Sequence, residues 1–182
     1  MKARLFVTLF LFVTINFPLN SVAQDSNAFP TTEEMAELEW MIGKWDWKGE
    51  WFPNDPSERS PLHFIMDCDW LFGKTIIECD FFLPNAPDDL YQREVYSYDT
   101  LNKNYVVAAF IGRGFGTQPV TGNLIKHGKS WVMQAEFIMP ERKSFDQMVK
   151  TPEGDTFKVE QYQSVNGSMM KKVQDSVVTK TD

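Results

Sequence analysis

The sequence predicts an all-β protein, a single up-and-down antiparallel β-barrel of about ten strands behind a short N-terminal helix. Three observations carry this expectation. Leu38, Met41 and Ile42 recur at helical spacing, and after Gly43 strict alternation begins: Trp45, Trp47 and Trp51 share one parity with Gly49, while Lys44, Asp46, Lys48 and Glu50 share the other. Side chains on a strand point alternately to its two faces, so this stretch is a strand with an indole face and a charged face. Nine further strand signals follow, most separated by short turn signals. Finally, no internal repeat or low-complexity linker divides the chain. Closing such a strand procession into a barrel removes its exposed edges; a two-sheet sandwich is the alternative.

The elements follow in order. Residues 1–23 have the layout of a secretory signal peptide: Lys2 and Arg4, an apolar run from Leu5 to Phe17, and Ser21-Val22-Ala23 before a cleavage point at Gln24. The apolar run is shorter than the ~20 residues a spanning helix needs. Residues 24–30 read as a disordered leader and residues 31–182 as one barrel domain. Thr31 or Thr32 caps a short helix with Glu33 and Glu34 in its first turn, where carboxylates suit the helix dipole. After the tryptophan strand and the loop Pro53–Ser60, strands are expected at Leu62–Trp70, Thr75–Leu83, Tyr91–Asp99, Tyr105–Ile111, Val120–Lys126, Ser130–Ile138, Lys143–Lys150, Thr156–Ser164 and Met169–Thr179. Pro84–Asp89 reads as a loop and Thr151–Asp155 as a turn.

Charge and cysteines narrow the function classes. Removing residues 1–23 from 182 leaves 159, enough for one sizeable core. Lys2 and Arg4 leave with the signal, so 16 basic residues stand against 25 acidic ones, a net charge of −9. No basic stripe exists to neutralise phosphates, so nucleic acid is not an expected partner. Neither is a membrane after signal cleavage, and the chain is expected in the periplasm or secreted. Cys68 shares parity with Phe64, Met66 and Trp70, and Cys79 with Ile77 and Phe81, across the turn Leu71–Lys74. In an oxidising compartment this favours a cross-strand disulfide over a pair of buried thiols. Two cysteines without nearby histidines supply too few ligands for a metal site.

The segment Leu38–Trp47, with its Gly43-Lys44-Trp45 motif after a short helix, resembles the entry strand of calycin-type (lipocalin-like) barrels. The run from Tyr98-Asp99 to Tyr105-Val106-Val107, and Gly122 early in the strand after the Gly112–Gly116 loop, resemble an exported bacterial branch of these proteins catalogued as a domain of unknown function. The resemblance implies a ten-stranded barrel with an internal cavity and implies no activity. Related barrels that hold haem use a barrel histidine. Here the histidines are His63 and His127, the latter in a hairpin turn, so no cofactor is expected.

Several residues could carry chemistry. Trp45, Trp47 and Trp131 fall on inward parities, where they either fill the core or offer a flat platform to a sugar ring. In Gln92–Tyr98, one parity holds Arg93, Val95 and Ser97, and the other Gln92, Glu94, Tyr96 and Tyr98, so either register sends a charge inward. A buried charge must be paired or used. The alternate glycines of Gly112–Gly116 suit a bulged lip at the barrel mouth, with Arg113 available to a ligand. His63 shares the outer parity with Asp67 and Asp69.

Two functional classes follow. One is an exported barrel binding a carbohydrate-like or anionic small molecule, with Trp45, Trp47, Tyr96, Arg113, Trp131 and Tyr162 as contacts. The other is a cofactor-free lyase or dehydratase acting on uronic-acid oligosaccharides. Its elimination needs a cation against the carboxylate and a base, the roles of Arg93 or Arg113 and of Tyr96, Tyr98, Tyr162 or His63, with Arg93, Tyr98 and His63 as the leading set.

Overall fold

The computed structural model describes residues 33–52, 57–112, 119–139 and 142–181. The expected signal peptide, the leader and its threonine cap, and Arg113 lie outside the described residues. The chain opens with α1 (Glu33–Ala36) and a 3₁₀ turn (Glu39–Met41), then runs through ten strands. These are β1 (Gly43–Trp51), β2 (Ser60–Leu71), β3 (Ile76–Leu83), β4 (Ala86–Asp99) and β5 (Asn104–Ile111). Then come β6 (Val120–His127), β7 (Ser130–Met139), β8 (Arg142–Glu153), β9 (Thr156–Val165) and β10 (Lys171–Lys180). Each strand pairs antiparallel with its neighbours in sequence, and β1 pairs with β10 to close the barrel. The all-β, up-and-down, ten-strand expectation is met.

Two strand boundaries differ from the sequence reading by three residues or more. β4 begins at Ala86, because Leu83 pairs with Ala86 in a tight hairpin and Pro84–Asp89 is not a six-residue loop. β8 continues to Glu153, with Pro152 opposite Phe157, so the turn to β9 shrinks to Gly154-Asp155. In both cases pairing with the next strand overrides local turn chemistry. At Gly43, φ is 115°, a conformation open to glycine, and this lets the chain turn from the 3₁₀ segment into β1.

The two ends of the barrel differ. The helical segment covers the end that holds the β2–β3, β4–β5, β6–β7 and β8–β9 turns. Tyr105 Oη donates to the Glu34 carbonyl at 2.8 Å and Lys126 pairs with Glu37 at 2.8 Å. Beneath the cap, Met35, Leu38 and Met41 pack with Trp45, Trp131 and Phe157. Trp45 donates its indole N–H to the Met41 carbonyl at 2.8 Å and meets Phe157 edge-on at 5.0 Å. This is the apolar core, and it makes the helical end a closed floor.

The disulfide expected from parity is present. Cys68 and Cys79 stand directly opposite in the β2–β3 register, both fully buried, with their Cα atoms 4.1 Å apart.

Candidate functional site

Above the apolar floor the barrel interior becomes polar. Register places Glu94 and Tyr96 of β4, Lys150 of β8 and Trp47 of β1 on inward faces, and all four are buried. β4 and β8 are four strands apart in a ten-strand barrel, so these side chains reach across the lumen. Lys150 Nζ donates to Tyr96 Oη at 2.6 Å and to Glu94 Oε2 at 3.3 Å. Tyr96 Oη donates to the same carboxylate oxygen, and Gln92 Nε2 donates to Glu94 Oε1 at 2.7 Å. Burial, reinforced by the Glu94 carboxylate, pushes the Tyr96 phenol well above its ordinary range. Tyr96 therefore stays protonated and relays a hydrogen bond between ammonium and carboxylate. Lys150 also lies 5.9 Å from the Trp47 ring centroid. The buried Trp47 indole N–H has no hydrogen-bond partner among the described residues.

A second polar layer lies toward the end opposite the helical floor. Asp146, four residues from Lys150 on β8 (about 13 Å along it), accepts from Gln161 Nε2 at 2.9 Å and from Gln163 Nε2 at 3.0 Å. Across the β10 wall, Gln174 donates to Ser176 at 3.0 Å. Small residues face inward at this level: Gly49 opposite Ser176, and Gly122 opposite Ala135. A Cβ at Gly49 would overlap Ser176 and the Asp175 carbonyl, so glycine there lets the polar layer stand against β1. Between the layers, Met133 and Met148 face each other inward and stay half-buried. Phe64 and Tyr91, with ring centroids 5.0 Å apart, add aromatic surface near the same end.

The residues singled out from sequence fall into three groups. Trp45, Trp47, Trp131 and Tyr96 point inward; Trp45 and Trp131 belong to the closed floor, and only Trp47 and Tyr96 reach the polar layer. Tyr98 also points inward but packs on Tyr105 at the floor, 5.0 Å between centroids. Arg93, His63 and Tyr162 stand on the outer wall. The β4 register sends Glu94 inward, so Arg93 faces Asp80 of β3, bonding its two carboxylate oxygens at 2.6 and 2.7 Å, with Glu78 at 3.4 Å. His63 Nε2 lies 2.7 Å from Asp46. The fold thus corrects the expectation that Arg93, Tyr98 and His63 share one cavity: alternation on β4 puts Arg93 and Tyr98 on opposite sides of the wall.

Sequence reasoning did not single out Lys150, Asp146, Gln161, Gln163 or Gln174. On β8 the parity Ser144, Asp146, Met148, Lys150 is the more polar one, and Phe145 and Val149 share the other. Hydrophobic patterning alone turns that strand inside out. Glu94 was visible as one of the two charges that could point inward.

No protein-family model matches the chain, and no curated protein matches it. Among solved structures, its fold is similar to the crystal structure of Rv2717c from M. tuberculosis, with a TM-score of 0.50 and 11% sequence identity, covering 84% of this chain and 99% of that one. At that identity the likeness is one of fold: an antiparallel β-barrel.

Proposed function

We propose that this chain is an exported, calycin-like barrel that binds a carbohydrate-like small molecule in the half of its interior away from the helical floor. The observation that supports the reading is the layer formed by Asp146, Gln161, Gln163, Gln174 and Ser176 above Met133 and Met148. Amides and hydroxyls offer donors and acceptors side by side, which is what a polyhydroxylated ligand requires, and aromatic faces suit the apolar faces of a sugar ring. An anionic ligand has less support. The interior ammonium of Lys150 is already matched by Glu94, and the Arg93 guanidinium is paired on the outside. The elimination reading loses Arg93 and His63, which lie outside the wall that carries Tyr98 within, and the one interior cation described beside a phenol, Lys150 next to Tyr96, is already engaged by Glu94.

The test is calorimetric titration with neutral and uronic-acid oligosaccharides, followed by ultraviolet absorbance of the mixtures. Heat with neutral sugars, no new conjugated double bond, and at least tenfold weaker binding in Gln161→Leu are expected. Silence with every neutral sugar, or product absorbance with uronic-acid substrates, overturns the proposal.

A further inference from the structure

The outside of the barrel is two-sided. On β1, β2, β3, β9 and β10 the outward positions carry ion pairs, among them Lys48 with Asp46 and Lys172 with Glu160 and Asp175, and Asp80 of β3 pairs with Arg93 at the near end of β4. On the opposite side, register aligns one row of outward residues across five strands without a charge, and the rows flanking it reach Glu136 on β7 and Asp99 on β4. The row reads Ser97, Val106, Asn123, Gln134 and Gln147 from β4 to β8; Val95, Ala108 and Thr121 flank it on one side, and Ile125, Val132 and Val149 on the other. Over β4–β6 the small members of this set, Val95, Ser97, Val106, Ala108, Thr121 and Asn123, line an open groove. Bulky apolar side chains, Phe110 and Ile125, stand exposed at its borders, and Phe145 is exposed farther round the wall on β8. Beyond them the charges resume, with the Lys143–Glu136 pair at 2.6 Å.

This wall is not left over from filling the core. On β4 and β8 the usual order is inverted, with Val95, Phe145 and Val149 outward while Glu94, Asp146 and Lys150 are inward. An uncharged, partly apolar sheet face of this extent on a folded chain marks an interaction surface.

We propose that the β4–β8 wall is the interface of a symmetric dimer of this chain. Two arguments select a second copy. The chain carries a net charge of −7, and charged pairs cover the walls of β1, β9 and β10. Two copies approach with least repulsion through the uncharged wall, whereas that wall offers no lysine or arginine cluster to an acidic partner or an anionic lipid surface. Five strands at ~4.8 Å spacing and about five residues of height unroll to roughly 400 Å², within a factor of about two of the ~800 Å² per partner of a standard interface before side-chain relief is counted. A two-fold axis lets the border residues Ile125 and Phe110 of each copy enter the groove of the other, the self-complementary arrangement such an axis requires.

Sedimentation and light scattering of the protein, expressed with its full N-terminus and purified as processed, test this. A mass of twice the chain is expected. Val106→Arg and Ala108→Glu should each yield monomers with the wild-type circular dichroism spectrum, while Lys48→Glu on the charged wall should remain dimeric. Wild-type protein that stays monomeric up to its solubility limit overturns the proposal, as does a dimer that survives both groove substitutions. Monomers that instead sediment with lipid vesicles would assign the wall to a membrane and also overturn it.

Discussion

Lys150 and Glu94 meet 3.3 Å apart in the middle of the barrel, although 56 residues separate them in sequence and their strands lie on opposite sides of the lumen. Both are buried, so each is tolerable only because the other is there. Lys150→Met should therefore destabilise the fold by about 3–5 kcal/mol, since it leaves Glu94 buried and uncompensated. Adding Glu94→Leu should recover most of that loss. Urea melts of the single and double variants measure it, and additive losses would mean the pair does not act as a unit.

The tyrosines give the barrel an alkaline limit. Burial first, and then Glu94 for Tyr96 or Glu37 for Tyr105, raises both phenols above the ordinary value of 10.0. The folded state therefore holds these protons more tightly than the unfolded chain. Their contribution to stability is fully present below about pH 10 and falls as pH rises from there through the folded values. Tyrosinate absorbance from these two residues should appear together with the loss of circular dichroism. Full titration of all the tyrosines near pH 10 in a still-folded protein would contradict this.

Arg93→Met should leave ligand binding unchanged and lower stability by about 1 kcal/mol or less, because Arg93 serves a partly exposed outer-wall pair with Asp80 and Glu78. A loss of binding at normal stability would show that the outer wall reaches the site.

The two tryptophans at the ends of β1 should differ. Trp45 is buried against Phe157 and hydrogen-bonded to Met41, so Trp45→Ala should lower stability by about 3–5 kcal/mol. Trp51 is half-buried near the end opposite the helical floor, and Trp51→Ala should lower it by less than about 2 kcal/mol. Equal losses in denaturant melts would place the core elsewhere.

Thiol titration of the denatured, unreduced protein should find no free cysteine. Replacing Cys68 and Cys79 together with alanine should remove about 2–3 kcal/mol, the constraint that an 11-residue separation places on the unfolded chain. Two reactive thiols would refute the bridge.

The sequence alone determined what depends on local alternation and on chain direction. The Trp45–Trp47 face, the strand succession, the short turns and the shared parity of Cys68 and Cys79 are all period-two properties of neighbouring residues. They followed because a strand with one clearly apolar parity has one stable orientation. Only the tertiary structure decided the strands whose two parities compete. On β4, Glu94 and Tyr96 against Arg93 and Val95 is a close contest, and on β8 the apolar parity faces out. The outcome turns on a partner across the lumen: Lys150 becomes admissible inside because Glu94 and Tyr96 arrive from the far wall to meet it. No local pattern carries that information, since the energy of burying each charge is set by a residue whose position is fixed only when β1 and β10 close the ring.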